Sequence, residues 1–373
     1  MRSPSGNKDK ADKVSGKSSN LADIADAAGV SVSTVSRALS GTGGVSEATT
    51  RRIQDMAAGL SYQSRAKAGQ AFQLHCLVPM ALFESDPAGF YRETIQAISN
   101  AADTLGAPFA VSFLEEGQDG LQRISELAES ELPIGFLLVS IDDPKIHAAA
   151  ADAGAAVLVN VAVPSATCDV VAPANRAGGY FATRHLLDLG HKRIAQITWT
   201  KRATIRERLA GYRQALEEAD TSDFDPALVF DLDAMTPQEG ANAARAALSD
   251  PKCDVTAFFC ANDMVAVGVI SAIENAGFSV PQDFSVISFD NTNITARNSP
   301  ALTTMSIDLA EVGRESVRTI KERILNPERS VVFTQIGCRL VIRDTTRDIN
   351  ASNDNYGGYL VDQKENLKEL REE

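Results

Sequence analysis

The sequence predicts an α/β protein in two parts: a three-helix head at the N-terminus and a larger body of two lobes, each a parallel sheet covered by helices. Three observations predict it. Near the N-terminus three short helix-like units follow one another; from residue 74 onward eight apolar runs alternate with amphipathic stretches; and charge is divided between the parts. Residues 1–72 hold ten Lys and Arg against six Asp and Glu, whereas the rest of the 373-residue chain holds 26 against 43.

The head comes first. Residues 1–18 read as a basic disordered arm, in which Lys8, Lys10, Lys13 and Lys17 alternate with Ser, Gly, Asn and Asp and almost nothing apolar is available to bury. In the first helix Leu21, Ile24, Ala25 and Ala28 follow i, i+3, i+4, i+7 spacing, with Asn20 as N-cap and Gly29 at the stop. The second runs over 32–39 and is closed by Ser40-Gly41. Ser46 caps the third, where Ile53, Met56, Ala57 and Leu60 repeat the spacing.

In the body the apolar runs are 74–78, 109–114, 135–141, 156–161, 194–199, 228–232, 256–260 and 286–289. Helix-like segments at 90–105, 177–189, 209–219, 239–248 and 264–275 lie between most of them. Short apolar strands separated by helices imply right-handed βαβ units and sheets buried on both faces. Eight strands exceed one comfortable sheet, so two lobes facing a cleft are expected, with 169–172 as the crossing point. The pattern fades after Arg343. The expected division is an arm at 1–18, a head at 19–63, a linking segment at 64–73, the two-lobe body at 74–346 and a polar tail at 347–373.

Several function classes find no support. The five Cys, at 76, 168, 253, 260 and 338, are odd in number and form no C-x-x-C pair, so neither a disulfide framework nor a zinc site is indicated and a reducing cytoplasm fits. No apolar run reaches the roughly 18 residues of a membrane span, and 1–20 lacks the apolar stretch of a secretion signal. No dinucleotide or P-loop glycine motif follows a strand, the four His are not at metal spacing, and no nucleophile or acid/base constellation emerges. No catalytic residue, metal or cofactor is expected. His191, in a helix-to-strand turn, reads as structural, and Gly41-Thr42-Gly43-Gly44 as a flexible turn between helices rather than a phosphate loop.

The basic head is the part suited to phosphates, although on charge alone a basic tail without a partner remains the alternative. Its first two helices, joined by the tight turn Gly29-Val30-Ser31, match a helix-turn-helix, whose second helix enters the major groove. On a helical wheel Val35, Ala38 and Leu39 share a packing side, while Ser33, Ser36 and Arg37 fall on another. Arg37 can reach guanine O6 and N7 together, worth about 1–3 kcal/mol of discrimination, Ser33 can bond a base edge, and Val32 can touch a thymine methyl. Ser31 and Thr34 sit where a helix N-terminus favours phosphate, or else they simply cap the helix.

The stretch Leu21-Ala-Asp-Ile-Ala-Asp-Ala-Ala-Gly-Val-Ser-Val-Ser-Thr-Val-Ser-Arg-Ala-Leu-Ser40, followed by Val45-Ser-Glu-Ala-Thr-Thr-Arg-Arg52, resembles the DNA-binding head of the lactose/galactose repressor family. The resemblance continues through Ala182-Thr-Arg-His-Leu-Leu-Asp-Leu-Gly-His-Lys-Arg-Ile194, Arg206-Glu-Arg-Leu-Ala-Gly-Tyr212, Cys260-Ala-Asn-Asp-Met-Val-Ala-Val-Gly268, Val280-Pro-Gln-Asp-Phe-Ser-Val-Ile-Ser-Phe-Asp-Asn291 and Pro300-Ala-Leu-Thr-Thr304. It covers roughly 19–346. It implies a homodimeric cytoplasmic, nucleoid-associated regulator, usually a repressor, on a pseudo-palindromic operator of double-stranded DNA. A small-molecule effector closing the cleft of a periplasmic-binding-protein-like core would set its affinity. On that likeness Val32, Ser33 and Arg37 face bases, and Asn20, Ser31, Thr34 and Ser36 position the backbone. A transporter's solute receptor uses the same two-lobe body and is the alternative, although a helix-turn-helix would be superfluous in it.

Two regions depart from the family pattern. Where a Tyr-Arg-Pro-Asn segment and a hinge helix ending in Leu are usual, this chain has Tyr62-Gln63-Ser64-Arg65 and then 66–71, with Ala71 at the position of the Leu wedge and Gly69 weakening any helix. A methyl group is a poor wedge, so kinking at the central step is expected to be reduced or lost, while Arg65 and Lys67 still offer positive charge to phosphate or the minor groove. At the lobe interface Ala174 replaces a usual Asp, and Asn160-Val161 replaces a usual Asp-Arg pair.

Effectors of such cores sit where strand C-terminal ends converge. Phe90 and Tyr91 match the family's stacking pair, although Phe90 also suits a helix-face core. Arg208, Asn262 and Asp290 would supply a guanidinium, an amide and a carboxylate for hydroxyls or a heterocycle edge, with Arg202 and Thr204 on the adjoining loop. Trp199 suits either the cleft or the core. The effector class on this reading is a sugar or a nucleoside-like molecule.

Overall fold

The computed structural model describes residues 72–350, apart from 87, 116–119, 131, 163, 164, 166, 220–223, 251 and 252. In the head it describes Ala28, Val30, Ser31, Thr34, Val35, Ala38, Val45, Ser46, Thr49, Thr50 and Ile53. The chain separates into two compact units, Met1–Ala71 and Phe72–Glu373.

Two of the expected helix caps are present in the first unit. The Ser31 hydroxyl accepts the Thr34 N–H at 3.1 Å and pairs with the Thr34 hydroxyl at 2.8 Å, while its carbonyl accepts from Thr34 and Val35. Ser46 accepts the Thr49 N–H at 3.3 Å in the same way. Satisfying an otherwise orphaned N–H at a helix start is worth about 1 kcal/mol. Ala28, Val35, Ala38 and Ile53 are buried, as the helical spacing requires of its inward face.

The second unit holds two six-stranded sheets. Lobe 1 begins with β1 (Gln73–Pro79), α1 (Met80–Glu84), α2 (Phe90–Leu105), β2 (Phe109–Leu114), α3 (Gly120–Ala128), β3 (Ile134–Val139), α4 (Pro144–Ala153), β4 (Ala155–Val159) and β5 (Asp169–Pro173). Lobe 2 follows with α5 (Asn175–Asp188), β6 (Ile194–Thr198), α6 (Ala203–Glu217), β7 (Val229–Asp231), α7 (Pro237–Ser249), β8 (Ala257–Cys260), α8 (Asp263–Asn275), β9 (Ser285–Asp290) and β10 (Thr303–Ser306). The chain then returns to lobe 1 for α9 (Leu309–Leu325) and β11 (Phe333–Ile336), and ends in lobe 2 with β12 (Arg339–Val341). The strand orders are β11-β5-β4-β3-β1-β2 and β12-β10-β9-β8-β6-β7. Every described pairing is parallel except β10 with β12.

All eight apolar runs are strands, but four further strands were not anticipated. The stretch 169–172, read as the crossing point, is the buried strand β5, and the crossing comes just after it at Ala174. An Asp opening a strand reads as a turn, yet Asp169 is wholly buried. Arg323 meets it at 2.8 and 3.0 Å, Arg329 at 2.7 Å and the Val332 N–H at 2.8 Å. Burial pushes this carboxyl up, and the hydrogen bonds from Arg323, Val332 and Arg329 outweigh it, holding the group below its usual range. The two other crossings are short, Ile307-Asp308 between β10 and α9 and Gly337-Cys338 between β11 and β12.

Among the unanticipated helices, α9 is the longest. Its buried face, which includes Val312, Gly313, Ser316, Val317, Thr319 and Ile320, mixes small polar with apolar residues at helical spacing. Helices α5 and α6 pack through glycines: a Cβ at Gly211 would lie 2.0 Å from the Arg176 carbonyl oxygen, and one at Gly179 would lie 2.2 Å from that of Arg208. This close approach fixes α6, and Arg208 with it, against the start of α5.

Candidate functional site between the lobes

The C-terminal ends of β1, β4, β6, β8 and β9 open onto a cavity of 170 Å³ between the lobes. From lobe 1, Asp86 accepts the N–H groups of Gly89 at 3.0 Å and Tyr91 at 2.6 Å, which anchors the start of α2 and sets Phe90 and Tyr91 at the cavity wall. The two rings meet edge to face, with centroids 5.3 Å apart. Phe90 lines the cavity and is also part of the buried core.

Lobe 2 supplies the charged and amide groups. Arg208, only 3% exposed, donates from Nε to Asn175 Oδ1 at 2.9 Å, from Nη1 to the Ala261 carbonyl and from Nη2 to Asp290 Oδ1 at 3.0 Å. Its guanidinium carbon lies 3.8 Å from the centre of the Phe289 ring. Asn262 caps α8 by accepting the Val265 N–H at 2.9 Å. Asp290 ends β9 at φ 108°, a left-handed value that turns the chain at the rim.

Burial pushes the Asp290 carboxyl up to about 7, with Arg208 pulling it down and the nearby charges of Asp263 and Asp86 adding to the rise. Asp263 is buried behind it and accepts from Ser288 at 2.6 Å, from the Thr292 N–H at 2.7 Å and hydroxyl at 2.8 Å, and from Thr304 at 3.0 Å. Burial raises this carboxyl too, against those four donors.

Arg202 crosses from lobe 2 to lobe 1. It donates to the Tyr91 hydroxyl at 3.1 Å and the Asn160 carbonyl at 3.0 Å, and its Nε lies 3.4 Å from Asp142 Oδ2. Asn160 itself stands at φ 57° and gives its amide N–H to Ser140 at 2.9 Å, leaving a buried side-chain oxygen without a partner among the described residues.

Phe90, Tyr91, Arg202, Thr204, Arg208, Asn262 and Asp290 all line this one cavity. Trp199 lines it as well, with its indole N–H on the Asp233 carbonyl at 3.2 Å. Sequence reasoning missed Asp86, Met235, Asp263 and Thr292. The helix-capping role of Asp86, just ahead of the aromatic pair, was the available signal. His191 is far from this chemistry: buried between Thr256 and Ser285 at 2.9 Å each, it has its pKa lowered to about 4 by burial and so stays neutral. Among the described residues no group of His, Cys, Asp and Glu could hold a metal ion, and no helix is long and apolar enough to cross a membrane.

Of the residues expected on DNA, Ser31 and Thr34 lie at the start of the second head helix, with the Ser31 hydroxyl engaged as its cap. Asn20, Val32, Ser33, Ser36, Arg37 and Arg65 lie outside the described residues.

Comparison with known proteins joins the two units. The profile of bacterial regulatory proteins of the lacI family matches residues 20–64, and that of the periplasmic binding protein-like domain matches 183–346. The HTH-type transcriptional repressor PurR of Photobacterium profundum is 29% identical over 88% of this chain and 99% of its own length, and the HTH-type transcriptional regulator DegA of Bacillus subtilis is 28% identical over 88% and 98%. The chain belongs to the LacI family. Among solved structures, the LacI-family chain superimposes on the regulator CelR in complex with cellobiose with a TM-score of 0.65 at 27% identity, covering 88% of this chain and 99% of that one. It superimposes on the Lac repressor dimer bound to operator and an anti-inducer with a TM-score of 0.64 at 25% identity, covering 89% and 100%. As a LacI-family transcription regulator it carries a helix-turn-helix DNA-binding head and an effector-binding core. The match over 20–64 removes the basis of the solute-receptor reading.

Proposed function

We propose that this regulator binds a pseudo-palindromic operator as a homodimer, usually to repress, and that an uncharged sugar or nucleoside-like effector in the inter-lobe cavity sets its operator affinity. The observation that carries the effector site is the convergence of Phe90, Tyr91, Arg202, Thr204, Arg208, Asn262 and Asp290 on one cavity. Both guanidinium groups there are already matched, Arg208 by Asp290 and Arg202 by Asp142, so the site suits hydroxyls or ring N–H groups rather than a phosphate or carboxylate. The aromatic rings supply a stacking face, and Asp290 and the open oxygen of Asn160 supply acceptors.

On this reading the working parts are the arm at 1–18, the head at 19–63, an atypical hinge at 64–73, the core at 74–346 and the tail at 347–373. Val32, Ser33 and Arg37 read bases, while Asn20, Ser31, Thr34, Ser36 and Arg65 hold the sugar-phosphate backbone. The protein works in the cytoplasm on the nucleoid, without catalysis, metal or cofactor. Effector coupling is of the order of 1–3 kcal/mol, because a ligand shifts the lobes only by its differential affinity for their two arrangements.

The test selects bound duplexes from random-sequence DNA and then titrates the selected operator, by fluorescence anisotropy, in the presence of sugars and nucleosides that shift the protein's Tm. A two-fold-symmetric site whose affinity changes about 5- to 150-fold with such a ligand supports the proposal. A selected pool without symmetry, or operator affinity unmoved by every ligand that binds, refutes it.

A further inference from the structure

A second cavity lies behind the hydrogen bond between Asn175 and Arg208. It measures 230 Å³, larger than the 170 Å³ between the strand ends, and both lobes contribute to it. Lobe 1 brings Val161, Val170 and Phe333, and lobe 2 brings Arg176 and Glu207. Glu207 and Arg208 are successive residues of α6, so one turn of helix presents a carboxylate to this cavity and a guanidinium to the other.

The lining has two properties that packing alone does not explain. First, Phe333 stands on edge strand β11 with 54% of its surface exposed, beside the buried Val170 and Val161. Second, opposite charges border the same space without pairing. Arg176 spends only its Nε, on Gln214 at 3.2 Å, which leaves its two terminal nitrogens without a hydrogen bond among the described residues. Glu207 makes no hydrogen bond or ion pair among the described residues.

We propose that this cavity binds the zwitterion of an apolar amino acid. The ligand's α-carboxylate takes the free fork of Arg176, which is shaped for two parallel N–H···O bonds. Its ammonium donates to Glu207, and its side chain lies on Phe333, beside the buried Val161 and Val170, covering apolar surface of that ring now open to water. A ligand with one charge leaves either the guanidinium or the carboxylate uncompensated, so the site discriminates by charge pattern before it discriminates by side chain. The proposal stands independently of the effector reading, since none of these contacts lies in the first cavity.

The experiment is isothermal titration of the full-length protein with L-leucine and L-phenylalanine, alongside 4-methylpentanoate, which keeps only the carboxylate, and 3-methylbutylamine, which keeps only the ammonium. Saturable binding of at least one amino acid, with both single-charge analogues weaker by about tenfold or more, is expected, and Glu207→Gln and Arg176→Gln should each lower amino-acid affinity by a similar factor. The comparison of analogues uses the unaltered protein and so does not depend on how the variants fold. The proposal is overturned by any of three results: no saturable binding of either amino acid up to about 10 mM, analogues that bind as tightly as the amino acids, or amino-acid binding that neither variant weakens.

Discussion

Asp290 offers the sharpest test of the cleft's electrostatics. A carboxyl raised from 3.8 to about 7 by burial carries an ionisation penalty of about 4 kcal/mol in the folded state. Because the folded pKa lies above the unfolded one, the native protein holds a proton that the unfolded chain has released throughout the window between those values. Stability therefore falls as pH rises through that window and levels off once both states are ionised. Between pH 5 and pH 8 the expected loss from this one group is about 3 kcal/mol. The buried histidines work in the opposite sense: the folded pKa values of His75 and His191 are lowered to about 4, so their contribution grows with pH. The informative quantity is thus the difference between the unaltered protein and Asp290→Asn, in which the histidine terms cancel. Urea unfolding of both proteins at several pH values should show that difference declining by about 3 kcal/mol from pH 5 to pH 8. A ¹³C carboxyl resonance titrating near pH 7, and missing from the variant, would report the same proton directly. Parallel stability profiles together with a normal carboxyl titration would refute the reasoning. A consequence for binding follows: an effector that donates to Asp290 requires the ionised carboxylate, so its affinity should rise about tenfold from pH 6 to pH 8.

Three further outcomes are expected. Asp169→Ala leaves Arg323 and Arg329 facing a buried hole at the head of β5, and should cost about 3–5 kcal/mol in denaturant unfolding; in the unaltered protein the contribution of this low-lying carboxyl is complete above the unfolded pKa and is lost as acid protonates it. Arg37→Ala should remove about 1–3 kcal/mol of operator discrimination in a gel-shift series while leaving ligand-induced Tm shifts intact, and equal discrimination by the variant would count against the base-reading role. Ala71→Leu should restore a wedge at the central base step, so circularly permuted DNA fragments should show a larger bend with the variant than with the natural chain; equal bends would mean that the hinge does not use this position.

The fold was legible where burial is continuous and illegible where polar side chains are buried in pairs. Runs such as Ile134–Val139 need no partner but water's absence, and they announce themselves in sequence. β5 and α9 are different: Asp169 at the head of one and Arg323 near the end of the other each look solvent-facing until they are placed together. β10, β11 and β12 each mix polar residues such as Thr303, Gln335 and Arg339 into three or four positions, so no apolar run marks them. The cleft was legible for a related reason. Its seven expected residues stand at strand ends or in the first two turns of helices, where the topology directs side chains into the opening. Thr292 and Met235 come from irregular loops, and nothing in their immediate sequence marks them.

The position of Asp263 explains how a change in the cleft can reach the crossings. Its carboxylate is shared by Ser288 on β9, Thr292 at the cavity rim and Thr304 on β10. β10 ends at Ser306, and the chain enters lobe 1 within three residues, at Leu309. A group that repositions Thr292 or alters the charge on Asp290 therefore acts on the anchor of a crossing strand with no flexible segment between. Arg202 makes the complementary connection on the other side, since its bonds to Tyr91 and Asn160 join the start of α6 directly to lobe 1. Ligand contacts at Tyr91, Asn160 or Thr292 must rearrange one of these two ties or reinforce it. Moving the lobes apart would take from the buried Arg202 its partners Tyr91 and Asn160, and that cost favours discrete states over a continuous range.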